Sequence, residues 1–179
     1  MKLSYSIFLF ALCLFANVSM AHGPTPKKVD QTLEMNASAD QVWAQLQDFD
    51  RIADWHPLVI ESSGDGQNKA GSSQRTLTLD KGSLIEGLNS YDPSKYKIGY
   101  QLDKDNVEAL PVSSYRVKIQ VQSVRKNKSS VHWTGRFYRG DTGNFPVETL
   151  NDDAAIKAMD AFIEAGLKGL KDKVEAGQS

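Results

Sequence analysis

Cysteine is almost absent from this chain of 179 residues, in which Cys13 is the only one. Cys13 lies in an N-terminal segment that we expect to be removed, so the remaining chain has no disulfide, thiol nucleophile, cysteine zinc site or iron–sulfur cluster. An exported domain of this size can be stable without disulfides because its hydrophobic core is large enough. Histidine is also scarce, and a metal site built from His22, His56 and His132 would require all three side chains to converge.

Long hydrophobic runs are absent as well. The longest, residues 7–16, contains ten apolar residues, about half of the ~20 that a membrane-spanning helix needs. Lys2 precedes this run, and Ser19 and Ala21 place small residues at the positions that signal peptidase recognises. The sequence therefore predicts a signal peptide over residues 1–21 with cleavage after Ala21, a periplasmic location and no stable membrane insertion.

No charge of one sign dominates the chain. Removing Lys2 with the signal peptide leaves 20 of the 21 basic residues against 22 acidic residues, a net charge of −2. Nucleic-acid-binding domains typically carry a net basic charge, so no nucleic-acid partner is expected. Composition excludes these classes of protein but does not identify a function.

The sequence after the signal peptide contains no internal repeat, low-complexity tract or long linker. This predicts a flexible leader over residues 22–26 and a single domain over residues 27–179. Ser38 and Gln41 form a capping box that begins a first helix, and a second short helix is predicted over residues 51–55. Two short helices therefore follow the first strand.

Apolar and polar residues alternate with a period of two along most of the chain, which predicts about seven strands. Residues that share a face in the clearest strands are Val29, Gln31, Leu33 and Met35; Arg75, Leu77 and Leu79; Leu84, Glu86 and Leu88; Tyr96, Ile98, Tyr100 and Leu102; Tyr115, Val117, Ile119 and Val121; and Val131, Trp133, Gly135 and Phe137. The polar residues between them are expected to face solvent.

The C-terminal part returns to helical spacing and predicts one long helix that begins near Asn151. Its apolar stripe comprises Ile156, Met159, Ile163, Gly166, Leu167, Leu170 and Val174. Gly166 and Gly169 indicate either close packing on the sheet or room for a ligand between helix and sheet. The order of elements predicts an α+β fold, in which a curved antiparallel sheet of about seven strands wraps around the long helix and leaves a cavity for a small molecule.

Short motifs spread over most of the predicted domain point to a family. They are Trp55-His56-Pro57, Gly71 with residues 75–79, Glu86-Gly87-Leu88, Leu110-Pro111-Val112 with Tyr115, and Trp133-Thr134-Gly135 with Phe137. In these motifs the chain resembles the SRPBCC superfamily, the START, Bet v 1 and polyketide cyclase/dehydrase relatives that share a helix-grip fold. It most resembles the periplasmic MxaD-like subgroup, which is associated with bacterial methanol oxidation. The resemblance implies a cavity that holds a hydrophobic ligand.

His56 is the candidate for acid–base chemistry because the ordinary pKa of histidine, ~6.5, lies near working pH. Its place at the end of the second short helix, beside Trp55, suggests that both side chains line the mouth of the cavity. The alternative is that His56 caps the helix by bonding a carbonyl oxygen.

Arg75 and Glu86 are charged residues on an apolar face. A tight turn over residues 80–83 would set Leu77 opposite Glu86 and make Arg75 the diagonal neighbour of Glu86. Arg75 could then bind an anionic or carbonyl group of a ligand, with Glu86 orienting it or acting as a base. The alternative is a buried ion pair with a structural role.

Tyr100 and Tyr115 are expected to point inward, where their hydroxyl groups could meet polar atoms of a ligand. Trp133 is expected to be core, and His132 to lie at the surface. An amino-terminal His22 could chelate copper only with a second histidine nearby, so we predict no metal site and no cofactor.

Two functions are compatible with these residues. The first is an exported protein that binds a small apolar or amphipathic ligand, or assists a periplasmic oxidoreductase in alcohol oxidation, without being an enzyme. The second is a polyketide cyclase/dehydratase-like enzyme in which His56 and Glu86 transfer protons and Arg75 stabilises an enolate oxygen.

Overall fold

Alternating apolar and polar residues form seven strands of one antiparallel sheet in the computed structural model, which describes residues 23–177. The strands are β1 (Lys27–Met35), β2 (Glu61–Gly64), β3 (Gln74–Leu79), β4 (Gly82–Asp92), β5 (Lys97–Lys104), β6 (Val112–Arg125) and β7 (Lys128–Arg139). Their order in space is β1-β7-β6-β5-β4-β3-β2. Because β1 and β2 are the two edges, the segment between them must cross from one side of the sheet to the other.

Two helical elements lie in that crossing segment, α1 (Ala39–Leu46) and a 3₁₀ segment at Phe49–Asp54. The others are α2 (Asp152–Ala176), which packs on one face of the sheet, and 3₁₀ segments at Pro93–Lys95 and Glu148–Leu150. The predicted capping box is confirmed, since the Ser38 hydroxyl accepts from the Gln41 backbone and the Gln41 side chain accepts from the Ser38 N–H. The second short helix is 3₁₀ and begins two residues earlier than predicted.

The long helix α2 packs on β1 and β7 through the predicted apolar stripe. Asn151 is its N-cap and accepts from the Ala154 N–H at 2.9 Å. The stripe is wider than predicted, because Phe162 is buried beside Ile163. Burying one such side chain contributes about 1.5–3 kcal/mol, so the stripe is the main attachment of the helix to the sheet. Within residues 23–177, no helix combines the length and apolarity needed to cross a membrane.

The hairpin between β3 and β4 is tighter than predicted. Leu79 pairs with Gly82, whose φ of +135° favours glycine, so the turn contains two residues rather than four. The expected register was therefore wrong by two residues, and Arg75 lies directly opposite Glu86 instead of diagonal to it. A shift of two leaves every side chain on its predicted face, since the side-chain period of a strand is two.

The predicted start of β5 was also wrong. Tyr96 adopts a left-handed conformation, with φ 50°, at the end of a 3₁₀ segment, and β5 begins at the next residue. Its hydroxyl donates to the Asp40 carboxylate on α1. Tyr96 therefore joins this end of the sheet to α1 rather than extending the strand.

The two glycines of α2 allow close packing of the helix and do not leave space for a ligand. A Cβ on Gly169 would lie 2.2 Å from the Trp55 carbonyl oxygen, and one on Gly166 would lie 2.6 Å from His56 Cδ2. Real Cβ atoms do not approach so closely. Glycine therefore lets α2 touch the segment that follows the first 3₁₀ helix.

Candidate functional site

A small cavity lies between α2 and the concave face of the sheet, where the sequence predicted a ligand site. Its volume is about 10 Å³, roughly the space of a single water molecule. It is lined by Glu86, Tyr100, Leu110, Tyr115, Val117, Trp133, Met159, Phe162 and Ile163. The expected gap is thus almost filled by side chains, and a larger ligand requires α2 or a bordering loop to move.

An ion pair buried in the sheet borders this cavity. Arg75 Nε donates to Glu86 Oε2 at 2.5 Å, and the two side chains are 4% and 1% exposed. Both residues are held there by their direct pairing across the β3–β4 hairpin. Glu86 lines the cavity, whereas Arg75 lies behind it.

Arg75 is enclosed on both faces of its guanidinium. Cζ lies 4.3 Å from the centre of the Phe49 ring and 4.6 Å from that of Tyr100, and Nη1 donates to the Phe49 carbonyl at 2.5 Å. Burial by itself would lower the pKa of Arg75, but the charge and hydrogen bond of Glu86, together with Tyr100 and Tyr115, outweigh it and the pKa is raised. Arg75 therefore carries a permanent positive charge inside the core.

Two tyrosines complete the polar cluster. The Tyr115 hydroxyl donates to Glu86 Oε1, and Tyr100 stacks on Arg75. Burial and the nearby Glu86 charge raise the pKa of both hydroxyls far above the ordinary value. Both hydroxyls are thus neutral at any physiological pH, and they act as hydrogen-bond donors rather than bases.

Two donors of this cluster lack a well-formed hydrogen bond. They are Arg75 Nη2 and Trp133 Nε1, both fully buried. The Arg75 and Trp133 side chains both lie close enough to the Tyr100 hydroxyl to oppose the rise in the pKa of Tyr100. An unsatisfied buried donor costs about 1–3 kcal/mol, so the cluster has hydrogen-bonding capacity left for an acceptor atom.

His56 lies elsewhere, between the first 3₁₀ segment and α2. Its ring is 4.1 Å from that of Phe162, and Nδ1 accepts from the Leu58 N–H at 3.3 Å. The proton is therefore on Nε2, which lies near the Phe162 carbonyl without a well-formed hydrogen bond. Burial lowers the pKa of His56 to about 4, opposed by that carbonyl and assisted by the Arg75 charge. His56 is neutral at pH 7.

This lowered pKa predicts a pH-dependent stability. As the pH falls below 6.5, His56 becomes protonated in the unfolded chain, whereas in the folded protein it stays neutral until about pH 4. The free energy of unfolding should therefore fall by about 3 kcal/mol over that range and gain nothing further from His56 below it. Urea denaturation of the parent and of His56→Gln from pH 7 to pH 4 measures the difference.

The exposed His132 provides the control for this measurement. Its Nε2 contacts Asp30 Oδ1 at 2.6 Å on the outer face of the sheet, as expected for a surface histidine. His132→Gln should leave most of the pH dependence of the free energy of unfolding unchanged. Parallel curves for the parent and His56→Gln would contradict the lowered pKa.

The structure brings together some of the predicted site residues and separates others. Glu86, Tyr100 and Tyr115 line the cavity, with Arg75 bound behind them. Trp55 and His56 pack against Trp133 but do not line the cavity. The two side chains lie toward α2 because this segment packs closely on Gly166 and Gly169, and their part in ligand binding stays a prediction.

Several cavity residues were not predicted as part of the site. Phe162 follows Met159 by three positions and precedes Gly166 by four, so the helical period could have revealed it. Phe49 supplies a carbonyl and a ring to Arg75 from a distant part of the chain, and no sequence signal indicates this contact. Leu110 lines the cavity from the β5–β6 loop, where periodicity gives no orientation.

The described part of the chain contains no group of three or more residues able to hold a metal ion. His56 is buried on the helix side of the sheet, whereas His132 faces outward, so these two histidines do not converge. His22, which a copper site would also need, lies outside the described residues.

Comparison with known proteins agrees with this architecture. A family model described as polyketide cyclase / dehydrase and lipid transport matches residues 26–175. None of the curated proteins matches the sequence significantly.

Solved structures show the same fold. XoxI from Bacillus cereus is 26% identical, covering 85% of this chain and 98% of that one, with a TM-score of 0.69. The Zhui aromatase/cyclase from Streptomyces sp. R1128 is 19% identical, and the match covers 84% of this chain and 94% of that one, with a TM-score of 0.64. Ara h 8.0201 is 10% identical, and the match covers 85% of this chain and 99% of that one, with a TM-score of 0.66. The predicted α+β helix-grip fold of the Bet v 1 type is thereby confirmed.

Proposed function

This chain belongs to the polyketide cyclase/dehydrase and lipid transport family, and from that premise we propose that it binds a small amphipathic molecule between α2 and the sheet. The observation that carries the proposal is the buried polar cluster in which Glu86, Tyr100 and Tyr115 line the cavity and Arg75 lies behind them. The apolar part of the ligand would pack against α2, and its polar group would bind this cluster.

Stability alone does not account for a buried ion pair. Replacing such a pair with apolar side chains of similar volume is often neutral or stabilising, because both charges lose their hydration on burial. Here Arg75 also keeps one donor without a well-formed bond. A ligand oxygen accepting from that donor would use the spare capacity of the cluster.

Entry of the ligand is proposed beside Leu110, which lines the cavity. The next residue, Pro111, lines an open recess of about 740 Å³ together with Leu150. The β7–α2 connection that carries Leu150 also exposes Phe145 and Val147, which are 94% and 55% exposed. Displacement of Leu110 would join recess and cavity into a site of the size that small ligands occupy.

The test combines native mass spectrometry of the purified protein with titration of 1-anilinonaphthalene-8-sulfonate, an apolar probe that carries one anionic group. We expect the double variant Arg75→Met/Glu86→Leu to fold, to lose any co-purified ligand and to bind the probe about tenfold more weakly. Thr76→Val, on the opposite face of β3, is the matched control and should bind as the parent does. A double variant that melts like the parent and keeps its ligand would remove Arg75 and Glu86 from the site.

The enzymatic alternative has weaker support. A cyclase-like reaction would need His56 and Glu86 to reach the same substrate, and His56 does not line the cavity that Glu86 borders. With a pKa near 4, His56 is also a weak base, and at neutral pH it is not in the imidazolium form that acts as a general acid.

We further propose that the protein is exported to the periplasm and assists an alcohol-oxidising enzyme there, in the manner of the MxaD-like subgroup. The signal-peptide pattern of residues 1–21 motivates the location, and the resemblance motivates the role.

Processing provides the first check of that proposal. The exported protein should begin at His22, because Ser19 and Ala21 place the cleavage site directly before it. Amino-terminal sequencing of protein from the periplasmic fraction measures this. A product that retains Met1 in the cytoplasm would contradict both the location and the accessory role.

A further inference from the structure

The outer face of the sheet, opposite α2, carries a shallow basin of about 400 Å³. Its cations are Lys28, Lys97, Arg116, Lys118 and Arg136, and among the described residues no carboxylate lines it. This concentration of one charge is unexpected in a chain whose net charge is −1. We propose that this basic basin binds an acidic segment of a partner protein, separately from the ligand site under α2.

The strand register sets three of the cations side by side. Lys28 on β1 lies directly opposite Arg136 on β7, and Arg136 lies directly opposite Arg116 on β6. Directly opposed residues have Cβ atoms about 4.5–5.5 Å apart, and like charges at that distance destabilise the sheet. An anionic partner would remove this repulsion on binding.

Most of the positive charge of the basin is not neutralised within the chain. The side chains of Lys97, Lys118 and Arg136 make no ion pair or hydrogen bond with any described residue. Arg116 donates only to the neutral Gln101, at 2.6 Å, and Lys28 donates to Asp30, just outside the basin. Asp92 lies opposite Lys97 across the β4–β5 pair, but its carboxylate forms its ion pair with Lys95. Such side chains can bind carboxylates of another protein without first breaking a contact within this chain.

The shape of the basin favours a protruding group over a flat surface. Gly99 lies on the outer face of β5, and a Cβ there would be 2.4 Å from Ser90 Oγ, so glycine keeps the floor low. Lys118 lies directly opposite Gly99 on β6, and Lys97 lies two residues before it on β5, so both cations border this floor. A side chain that projects from a loop or helix can enter such a recess.

The lining residues distinguish between classes of partner. No aromatic side chain lines the basin on which a nucleic-acid base could stack. None of the large exposed apolar residues lies in it either, so nothing there would insert into a lipid bilayer. Arginine binds carboxylates with two parallel hydrogen bonds, and two of the five cations are arginine. These features favour a segment rich in Asp and Glu.

The experiment uses the full mature protein and a fluorescent ten-residue peptide of alternating Asp and Glu, with an Asn/Gln peptide of the same length for comparison. We expect saturable binding of the acidic peptide only, weakened by salt because the contacts are exposed. Lys118→Gln/Arg136→Gln should weaken binding about tenfold. Because neither side chain has a partner in the protein, the variant should melt at least as high as the parent.

Lys104→Gln/Lys126→Gln removes the same charge from exposed positions outside the basin and should change the affinity less than twofold. Absence of peptide binding, or equal weakening by both double variants, would overturn the proposal. Tighter binding of phosphatidylglycerol vesicles or of a single-stranded oligonucleotide, lost in Lys118→Gln/Arg136→Gln, would overturn it in favour of a membrane or a nucleic acid.

Discussion

Replacing Arg75 with methionine should lower the free energy of unfolding by about 3–5 kcal/mol, because Glu86 would be left buried without its cation. Glu86 is 1% exposed, and its remaining hydrogen-bond partner is the Tyr115 hydroxyl. The Phe49 carbonyl would lose its donor as well. Urea denaturation at pH 7 measures the loss. Glu86→Leu should cost a similar amount by leaving Arg75 unpaired.

The double variant Arg75→Met/Glu86→Leu should be more stable than either single variant, with a coupling energy of at least about 2 kcal/mol. It buries no charge, although the Phe49 carbonyl and the Tyr115 hydroxyl remain without their partners. Thr76→Val, on the opposite face of the same strand, should change stability by no more than about 0.5 kcal/mol. Additive losses in the two single variants would mean that the pair contributes no mutual stabilisation.

Ile163→Asp should unfold the protein or prevent its expression. Ile163 is 1% exposed, in the buried stripe of α2, and lines the cavity with Met159 and Phe162. A carboxylate there has no cation within the apolar wall, and unpaired burial of a charge costs several kcal/mol, roughly half or more of the stability of a small domain. Circular dichroism melts of the purified protein, or its soluble yield, measure the effect.

An exposed position two residues earlier in α2 provides the control. Ala161→Asp places the same carboxylate on the solvent face of α2, where the change should be within about 0.5 kcal/mol. Melting of Ile163→Asp at the temperature of Ala161→Asp would show that α2 does not pack on the sheet through this stripe.

Local sequence patterns were sufficient to predict most of the fold. The period of two in β6 and β7 and the helical spacing after Asn151 each recur over many residues, so the buried faces were predicted correctly. The capping box at Ser38 depends on two residues three positions apart and was equally clear. The β3–β4 turn was less certain, because a turn of two or four residues leaves the same faces buried.

The site was predicted less completely than the fold. Arg75, Glu86, Tyr100 and Tyr115 were identified because polar side chains on an apolar face are unusual, and the structure does bring them together. His56 was identified by its chemistry alone, and chemistry does not specify orientation. Its ring faces α2 because Gly166 leaves space for it there.

The sequence alone determined the order of elements, the faces that they bury and the charged residues that those faces include, since each follows from neighbours a few positions apart. Only the tertiary structure decided the distances between segments far apart in the chain. The Phe49 carbonyl bound to Arg75, the near-complete filling of the cavity by Phe162 and Leu110, and the basic basin with cations from four strands all arise from such distances. They depend on how closely α2 and the sheet pack and on strand register, which are set by the fit of many side chains at once.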